Sequence, residues 1–356
     1  MERRNRILVA VLDWGLGHAT RSVPVIRALI ARNCTVFVAS SGGALALLKL
    51  EFPNLTFFEL PGYNPIYPTD DGMVLKMAAQ LPGFIKTIQE EHKILQRLIK
   101  EYKIEAVISD NRWGCYAKGV KTVFITHQVN IIISKGFATL EKLVNYYNHQ
   151  YIGKFDKCWV PDFEGAKSLA GKLSANTASL KQGYIGPLTR FKKIPAEKKY
   201  NLVYIASGPE PQKSIFTDLV KKQAAQIADL QMAWVLGNTD LPEKELKNYA
   251  GKALNHLKAD ELNLLAAQSE IVLCRSGYSS IMDLAQLGAK AIFVPTPGQT
   301  EQEYLAETLL QKGIAYYEKQ AGFDLQRALK EAPKYTGFVN FEKDTALLEA
   351  AIDSLL

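Results

Sequence analysis

Short apolar runs alternate along the chain with longer stretches in which apolar residues recur at helical spacing. Each run has the length of a buried strand, and strands that alternate with helices are typical of parallel sheets covered on both faces. The sequence therefore predicts an α/β fold. The expected strands are residues 7–12, 35–40, 56–59, 106–109, 122–126 and 158–160 in the first half, and residues 202–206, 233–236, 254–257, 271–274, 291–294 and 315–317 in the second.

A basic, proline-bearing segment separates the two series of strands. It begins with a glycine-containing stretch, residues 183–190, and continues to residue 199; it is the expected linker. With 356 residues, 47% of them hydrophobic, the chain can form two separate cores. We expect an N-terminal domain over residues 1–186 and a C-terminal domain over residues 187–340. Residues 341–356 are expected to form a helix, with packing back onto the N-terminal domain as one option.

Residues 271–303 begin with a pattern suited to phosphate binding. Gly277 follows an apolar strand and allows a turn, after which a helix is expected to open near Ser279 and Ser280. Ser280 and Asp283 have the spacing of a capping box. The N–H groups and the dipole of such a helix start attract a diphosphate without a metal, and Asp283 is placed to accept hydrogen bonds from ribose hydroxyls. The pattern indicates a nucleotide-sugar site.

The next strand leads into a polar loop at its carboxyl end, where open α/β sheets bind ligands. The elements R-S-G-x-x-S-x-x-D-L-A, G-A-K-A-I-F-V-P and Q-E, in this order, resemble the carboxyl half of the family 28-like glycosyltransferases. That family includes an enzyme that transfers GlcNAc from UDP-GlcNAc to a lipid-linked acceptor. The resemblance implies that Ser279 and Ser280 contact phosphate, that Asp283 contacts the ribose, and that Gln302 and Glu303 contact the sugar hydroxyls. Arg275, Ser276 and Gly277 complete the expected donor-binding set.

The resemblance also implies donor contacts elsewhere in the C-terminal half. It places Arg190 beside the diphosphate, the alternative being a solvated linker arginine. It places Ser207 and Gly208 in a loop that touches the donor, although the two prolines that follow are equally consistent with a simple turn. Residues 256–260 are expected to hold the base. The donor sugar stays open, because Asp283 stands where family members commonly have Glu and their H-x-x-x-Q-x-x-N-A loop pattern is absent.

The N-terminal half has a glycine loop with Gly15, Gly17 and His18 directly after the first strand. Dinucleotide binding is disfavoured, since the third glycine of the fingerprint is missing and no acid follows the second strand. The helix dipole disfavours a protonated imidazole at a helix start, so His18 is expected to be neutral and able to accept a proton. The resemblance implies a catalytic base at His18; a structural cap is the alternative.

Two polar clusters follow later strands of the same half. The resemblance implies that His127, Gln128 and Asn130 face the acceptor, while capping of the next helix is the alternative reading. Asp110 and Arg112 either pair with each other or contact a hydroxyl and a phosphate of the acceptor.

The composition narrows the range of partners. A net charge of +7 and a pI near 9.0 favour an anionic partner such as a nucleotide or an acidic lipid head group. Nucleic acid is disfavoured, because no dense Lys/Arg tract with interleaved aromatic residues occurs. The four cysteines and five histidines show no metal-ligand spacing, so we expect no metal, no cofactor and a reducing cytoplasm. The first apolar run is too short for a signal peptide.

These features predict a GT-B fold, in which two Rossmann-like domains face each other across a cleft. The predicted activity is inverting, metal-independent transfer of a sugar, GlcNAc by preference, from a UDP-sugar to an unidentified glycan or lipid-linked acceptor. Peripheral contact with an anionic membrane is an option, for which residues 61–68 form an aromatic loop. The alternatives are a UDP-sugar epimerase of the same architecture and a nucleotide-sugar-binding protein without catalysis.

Overall fold

The computed structural model describes residues 4–65, 73–133, 136–237, 242–255, 257–339, 341 and 345–356. The chain divides into two compact units. The first contains one sheet, ends at Thr189 and also includes the C-terminal helix. The second begins at Arg190 and contains the other sheet.

The first unit has a seven-stranded parallel sheet in the order β3-β2-β1-β4-β5-β6-β7. Successive side chains of its central strand point to opposite faces, so Ile7 and Val9 join the core beneath α1 and α2, whereas Leu8 and Ala10 join the core beneath α3. Its strands and helices are β1 (Arg6–Val11), α1 (Gly17–Ala31), β2 (Thr35–Ser40), α2 (Gly42–Glu51), β3 (Thr56–Glu59), α3 (Met73–Tyr102), β4 (Ala106–Asp110), β5 (Lys121–Ile125), α4 (Ala138–Ile152), β6 (Lys157–Val160) and β7 (Gln182–Tyr184).

The second unit has a six-stranded parallel sheet in the order β10-β9-β8-β11-β12-β13. Tyr204, Phe216 and Trp234 are buried in its core. Its elements are β8 (Tyr200–Ile205), α5 (Gln212–Ala224), β9 (Met232–Val235), α6 (Glu243–Leu246), β10 (Lys252–Leu254), α7 (Ala259–Ala267), β11 (Ser269–Cys274), α8 (Tyr278–Leu287), β12 (Lys290–Phe293), α9 (Thr300–Gln311), β13 (Tyr316–Tyr317) and α10 (Leu325–Glu331).

The C-terminal helix, α11 (Thr345–Leu355), packs on the first unit. Ile352 and Leu355 enter the core beside α1, and Arg32 Nε lies 2.5 Å from the carboxylate of Asp353. None of the described helices combines the length and the apolar character needed to cross a lipid bilayer.

Eleven of the twelve predicted strands are present; the one expected at residues 254–257 shares only Leu254 with β10, and its residue 256 lies outside the described residues. One strand was missed: β7 lies within the segment expected to be part of the linker. It is short, half-buried and has Gly183 at its centre, so it lacks the apolar run that identifies the other strands. In α3, Leu95 and Leu98 are buried as the pattern predicts, but Leu81 and Ile85 are exposed.

Candidate active site

The glycine loop after β1 forms the turn into α1. Gly15 has a φ of +75°, a conformation that residues with a Cβ rarely adopt, and α1 begins at Gly17. His18 is therefore the second residue of the helix. Because β1 lies beside β4, with Val11 paired to Asp110, the start of α1 lies close to the end of β4.

Asp110 is buried at this edge and is the centre of a polar cluster. Its carboxylate accepts from Nε of Arg21 at 2.8 Å and from Oγ of Ser22 at 3.1 Å, and Arg21 Nη2 makes a second, short contact. Nδ1 of His18 lies 2.8 Å from Oδ1. Because a carboxylate has no proton to donate, His18 donates from Nδ1, and its lone pair is on Nε2.

The charges of this cluster follow from burial and from Arg21. Burial, the largest effect, would raise the pKa of the Asp110 carboxyl, but the charges and hydrogen bonds of Arg21 and His18 outweigh it and hold this pKa well below its usual range. The pKa of His18 is lowered, first by burial and then by Arg21, with Asp110 opposing both. His18 is therefore neutral near pH 7, so it can act as a base.

Arg21 and Ser22 were not predicted as site residues. Their spacing from His18 puts them one turn along the same face of α1, which the sequence alone could have shown. The convergence on Asp110 depends on the pairing of β1 with β4, which no local pattern reports.

The prediction for Arg112 is wrong, because this side chain neither pairs with Asp110 nor is exposed to an acceptor. Its side chain is 0% exposed, and its ion-pair partner is Glu91 on α3, with 2.7 Å between Nη1 and Oε1. The other guanidinium donors bond to Ser41 Oγ and to the carbonyls of Val11 and Pro61. Arg112 thus ties α3 to the edge of the sheet and has a structural role.

The cluster after β5 joins the site through one residue. His127 is buried, and its Nδ1 lies 3.0 Å from Nη1 of Arg21. Asn130 donates to the backbone carbonyls of Lys172 and Ala175 and accepts from the hydroxyl of Thr177, so its carboxamide ties the loop after β5 to residues 172–177. The backbone N–H and carbonyl of Gln128 take part in local hydrogen bonds.

Aromatic side chains line the same edge of the first sheet. Trp14 follows β1, Trp113 follows β4, and their ring centroids are 6.2 Å apart. Tyr63 and Phe84 pack against Trp14 at 6.2 and 5.8 Å. Tyr63 is buried and donates to Glu91, so this described part of the predicted aromatic loop is anchored. Residues 66–68 of that loop lie outside the described residues.

In the second unit, α8 opens one residue earlier than predicted. It begins at Tyr278 with Gly277 as its N-cap, and no described side chain caps it. The capping box expected from Ser280 and Asp283 is therefore not formed, because Ser280 already lies in the first turn. Ser279 and Ser280 are partly exposed beside the N–H groups of that turn.

Asp283 is paired with Arg190, which is mostly buried rather than solvated. The two side chains are 13% and 14% exposed, and Arg190 Nε lies 3.7 Å from Asp283 Oδ2. This distance is too long for a hydrogen bond. Arg190 Nε is buried and makes no hydrogen bond with the described residues.

Three more buried polar atoms without hydrogen bonds to the described protein belong to residues at the carboxyl ends of β8, β11 and β12. They are Ser207 Oγ, Arg275 Nε and Thr296 Oγ1. A Cβ at Gly208, which has a φ of +98°, would lie 3.5 Å from Thr296 Oγ1 and 3.9 Å from Arg275 Cγ. An unsatisfied buried polar group costs about 1–3 kcal/mol, so this group, here called the Gly208 cluster, is suited to a polar ligand.

Three of the predicted donor residues make hydrogen bonds to loops of the protein. The terminal nitrogens of Arg275 bond to three backbone carbonyls and Gln320, and burial lowers its pKa to about 10. Ser276 Oγ donates to the carbonyl of Gln302. The Gln302 carboxamide holds the N–H of Thr296 and the side chain of Gln299. These bonds hold the loops around the site, and direct contact of the three residues with the donor stays a prediction.

Two further predictions on the donor side concern Glu303 and the segment expected to hold the base. Glu303 is half-buried in the first turn of α9. The segment expected to hold the base begins at His256, which lies outside the described residues.

The chain is similar to known transferases in both halves. Residues 212–350 match the glycosyltransferase family 28 C-terminal domain, and residues 5–150 match a glycosyl transferase family 1 model. A UDP-N-acetylglucosamine--N-acetylmuramyl-(pentapeptide) pyrophosphoryl-undecaprenol N-acetylglucosamine transferase of Haemophilus influenzae is 26% identical over 90% of this chain and 86% of its own. An uncharacterized glycosyltransferase of Methanosarcina mazei is 22% identical over 86% and 84%.

Solved structures agree on the fold. The glycosyltransferase of kitacinnamycin superposes with a TM-score of 0.69 at 15% identity, covering 100% of both chains. MurG of Acinetobacter baumannii gives 0.56 at 13% identity, covering 99% of this chain and 95% of its own.

The two parallel-sheet domains and these neighbours define a GT-B fold, and the protein is a glycosyltransferase. More closely, the match over residues 212–350 and the curated relatives make the chain similar to the family 28-like GT-B glycosyltransferases.

Proposed function

We propose that this enzyme is an inverting, metal-independent transferase that moves GlcNAc from UDP-GlcNAc to a hydroxyl of a lipid-linked or cell-envelope glycan. The observation that carries the proposal is His18, a neutral imidazole whose Nδ1 is held by the ionised Asp110 and whose lone pair is on Nε2. The donor is suggested by relatives that are named as transferases using UDP-N-acetylglucosamine.

In the proposed reaction, His18 Nε2 takes the proton of the acceptor hydroxyl while the hydroxyl oxygen attacks the anomeric carbon. The bond between that carbon and the β-phosphate oxygen breaks, and UDP leaves with the electron pair. Attack from the side opposite the leaving group inverts the configuration. Asp110 stays ionised and stabilises the imidazolium.

On the donor side, the start of α8 and the Gly208 cluster are proposed to hold the diphosphate. N–H groups and the helix dipole stabilise the charge that develops on UDP, so no metal is needed. We propose that Asp283 turns from Arg190 to the ribose hydroxyls and that Arg190 then bonds the diphosphate. Glu303 is the proposed sugar contact.

On the acceptor side, the aromatic residues Trp14, Tyr63, Phe84 and Trp113 form an apolar wall at the edge that carries Asp110. Such a wall suits an acceptor with an apolar portion near its hydroxyl. Together with the net charge of +7, it supports peripheral contact with an anionic membrane at the cytoplasmic face.

A donor screen followed by turnover tests the proposal. Among nucleotide sugars, UDP-GlcNAc is expected to raise the melting temperature most, because a ligand at 100 times its Kd adds about 2.7 kcal/mol of stability. UDP should then be released only with an acceptor, and at the same rate in EDTA. Activity that EDTA abolishes and Mn²⁺ restores would contradict the mechanism. Conversion of UDP-GlcNAc into another UDP-sugar would indicate an epimerase instead.

A further inference from the structure

Arg21 links the two histidines of the site in the first unit. Its side chain is 2% exposed, and its guanidinium contacts Asp110 through Nε and Nη2. Nη1 lies 3.0 Å from Nδ1 of His127, and Nη2 lies 2.9 Å from Nδ1 of His18. One buried guanidinium therefore contacts a carboxylate and two imidazoles.

The chemistry of Arg21 determines where His127 carries its proton. A guanidinium has only donors and stays charged in proteins, so Nδ1 of His127 must accept the bond from Nη1. A neutral imidazole has one acceptor nitrogen, which in this ring is occupied by Arg21. The proton of neutral His127 is consequently on Nε2.

His18 has the opposite tautomer. A lone pair on Nδ1 would face a carboxylate oxygen at 2.8 Å, which is repulsive, so Nδ1 carries the proton and donates to Asp110. Arg21 Nη2 donates to Asp110, and because Nδ1 of His18 carries a proton it cannot also accept from Nη2, which lies 2.9 Å away. The lone pair of His18 is then on Nε2, for which the described part of the chain offers no hydrogen bond.

We propose that Arg21 is a positioning residue that makes His18, and not His127, the base of the reaction; this inference rests on the proposed function. With Arg21 present, His127 offers no acceptor nitrogen to a substrate hydroxyl, whereas His18 does. Among the described residues, the charged and titratable groups that act on His18 and Asp110 are Arg21 on α1, His127 after β5 and these two residues on each other.

The tautomers are measured directly by NMR on the wild-type protein with ¹⁵N-labelled histidine, without substrate. His18→Gln and His127→Gln assign the two rings. We expect the proton on Nδ1 of His18 and on Nε2 of His127. Finding the proton of His127 on Nδ1, or both rings in the same tautomer, would overturn the proposal. The tautomers themselves are read from the unaltered protein, and the two variants serve only to assign its signals.

Kinetics test whether Arg21 acts through His18. Arg21→Gln removes the charge, Arg21→Lys keeps the charge without the planar fork, and Arg27→Gln alters an exposed position of the same helix as a control. Arg21→Gln is expected to lower kcat by about 10²-fold, with partial recovery in Arg21→Lys and none lost in the control.

The pH profile separates positioning from structural support. Arg21 lowers the pKa of His18, so its removal should move the acid limb of kcat/KM to higher pH, while Arg21→Lys leaves the limb in place. An unmoved limb in folded Arg21→Gln would show a merely structural role. Fixed tautomers in a protein that turns over no UDP-sugar would instead count against the proposed function.

Discussion

The polar side chains at the carboxyl ends of the two sheets differ in how many of their hydrogen bonds the protein itself supplies. At the first, the carboxylate of Asp110 is bonded by three side chains of α1, while Trp14 Nε1 and Asn111 Oδ1 nearby make no hydrogen bond with the described protein. At the second, four buried polar atoms make no hydrogen bond with the described protein, and these belong to Arg190, Ser207, Arg275 and Thr296. We infer that the Asp110 cluster of the first edge is organised before any ligand binds, and that the polar group of the second edge completes its hydrogen bonds with the ligand.

The largest effect is expected when the proposed base of the first edge, His18, is removed. His18→Ala is expected to lower turnover by about 10²–10⁴, the usual contribution of a positioned general base. UDP affinity, measured by calorimetry on the same variant, should not change, because the proposed donor contacts all belong to the second unit. A loss of less than about five-fold would mean that His18 is not the base.

The wild-type pH profile belongs to the same test. Since burial and Arg21 lower the pKa of His18, the rate should stay high below the ordinary histidine pKa of about 6.5 and fall only at a lower pH. His18→Ala should lack this limb. If the rate of the wild-type enzyme already falls above the ordinary histidine pKa of about 6.5, the charges assigned to the cluster are wrong.

Buried charge alone does not mark function, as the neighbouring pair Arg112 and Glu91 shows. Glu91→Gln leaves the buried guanidinium without its ion-pair partner, which typically costs about 3–5 kcal/mol of stability. Denaturant unfolding measures the loss. The matched control is Glu51→Gln, whose surface pair with Arg27 contributes at most about 1 kcal/mol. Equal losses in the two variants would remove the structural role given to Arg112.

The sequence predicted the sheets well because each central strand is an uninterrupted apolar run. It failed at β7, whose central glycine breaks that signal. For the site, glycine and histidine patterns identified the two loops, but the partner of Arg112 was mistaken. Glu91 lies on α3, 21 residues before Arg112 in the chain. No spacing rule predicts that a side chain of a helix will contact a side chain that follows a strand.

On the donor side, Asp283→Ala should weaken UDP binding while the protein stays folded. A hydrogen bond to a charged group contributes about 1.5–3 kcal/mol, which corresponds to a loss of roughly ten-fold or more in affinity. Glu270→Gln, at an exposed position of β11, is the matched charge control. Unchanged affinity for UDP in folded Asp283→Ala would exclude Asp283 from the nucleotide site.

The predicted donor residues stay predictions, and for two of them the structure shows bonds that the sequence did not indicate. Arg275 and Gln302 were expected to contact the donor, yet their terminal groups hold loops of the protein. Thr296, by contrast, was not predicted. A threonine three residues after the end of a strand carries no signal of its own, and only the fold brings it near Gly208.

The smallest and most discriminating effect compares one serine from each edge. Ser22 Oγ donates to Asp110 at 3.1 Å, so Ser22→Ala should destabilise the free protein by about 1–3 kcal/mol. Ser207 Oγ makes no hydrogen bond with the described protein, so Ser207→Ala should leave the free protein unchanged or slightly more stable. The same change should weaken UDP binding by about 2- to 10-fold, because the hydroxyl bonds only to the ligand. Unfolding curves with and without UDP measure both quantities on each variant. If Ser207→Ala destabilises the free protein as Ser22→Ala does, the second edge is completed by the protein itself and the contrast between the two edges is wrong.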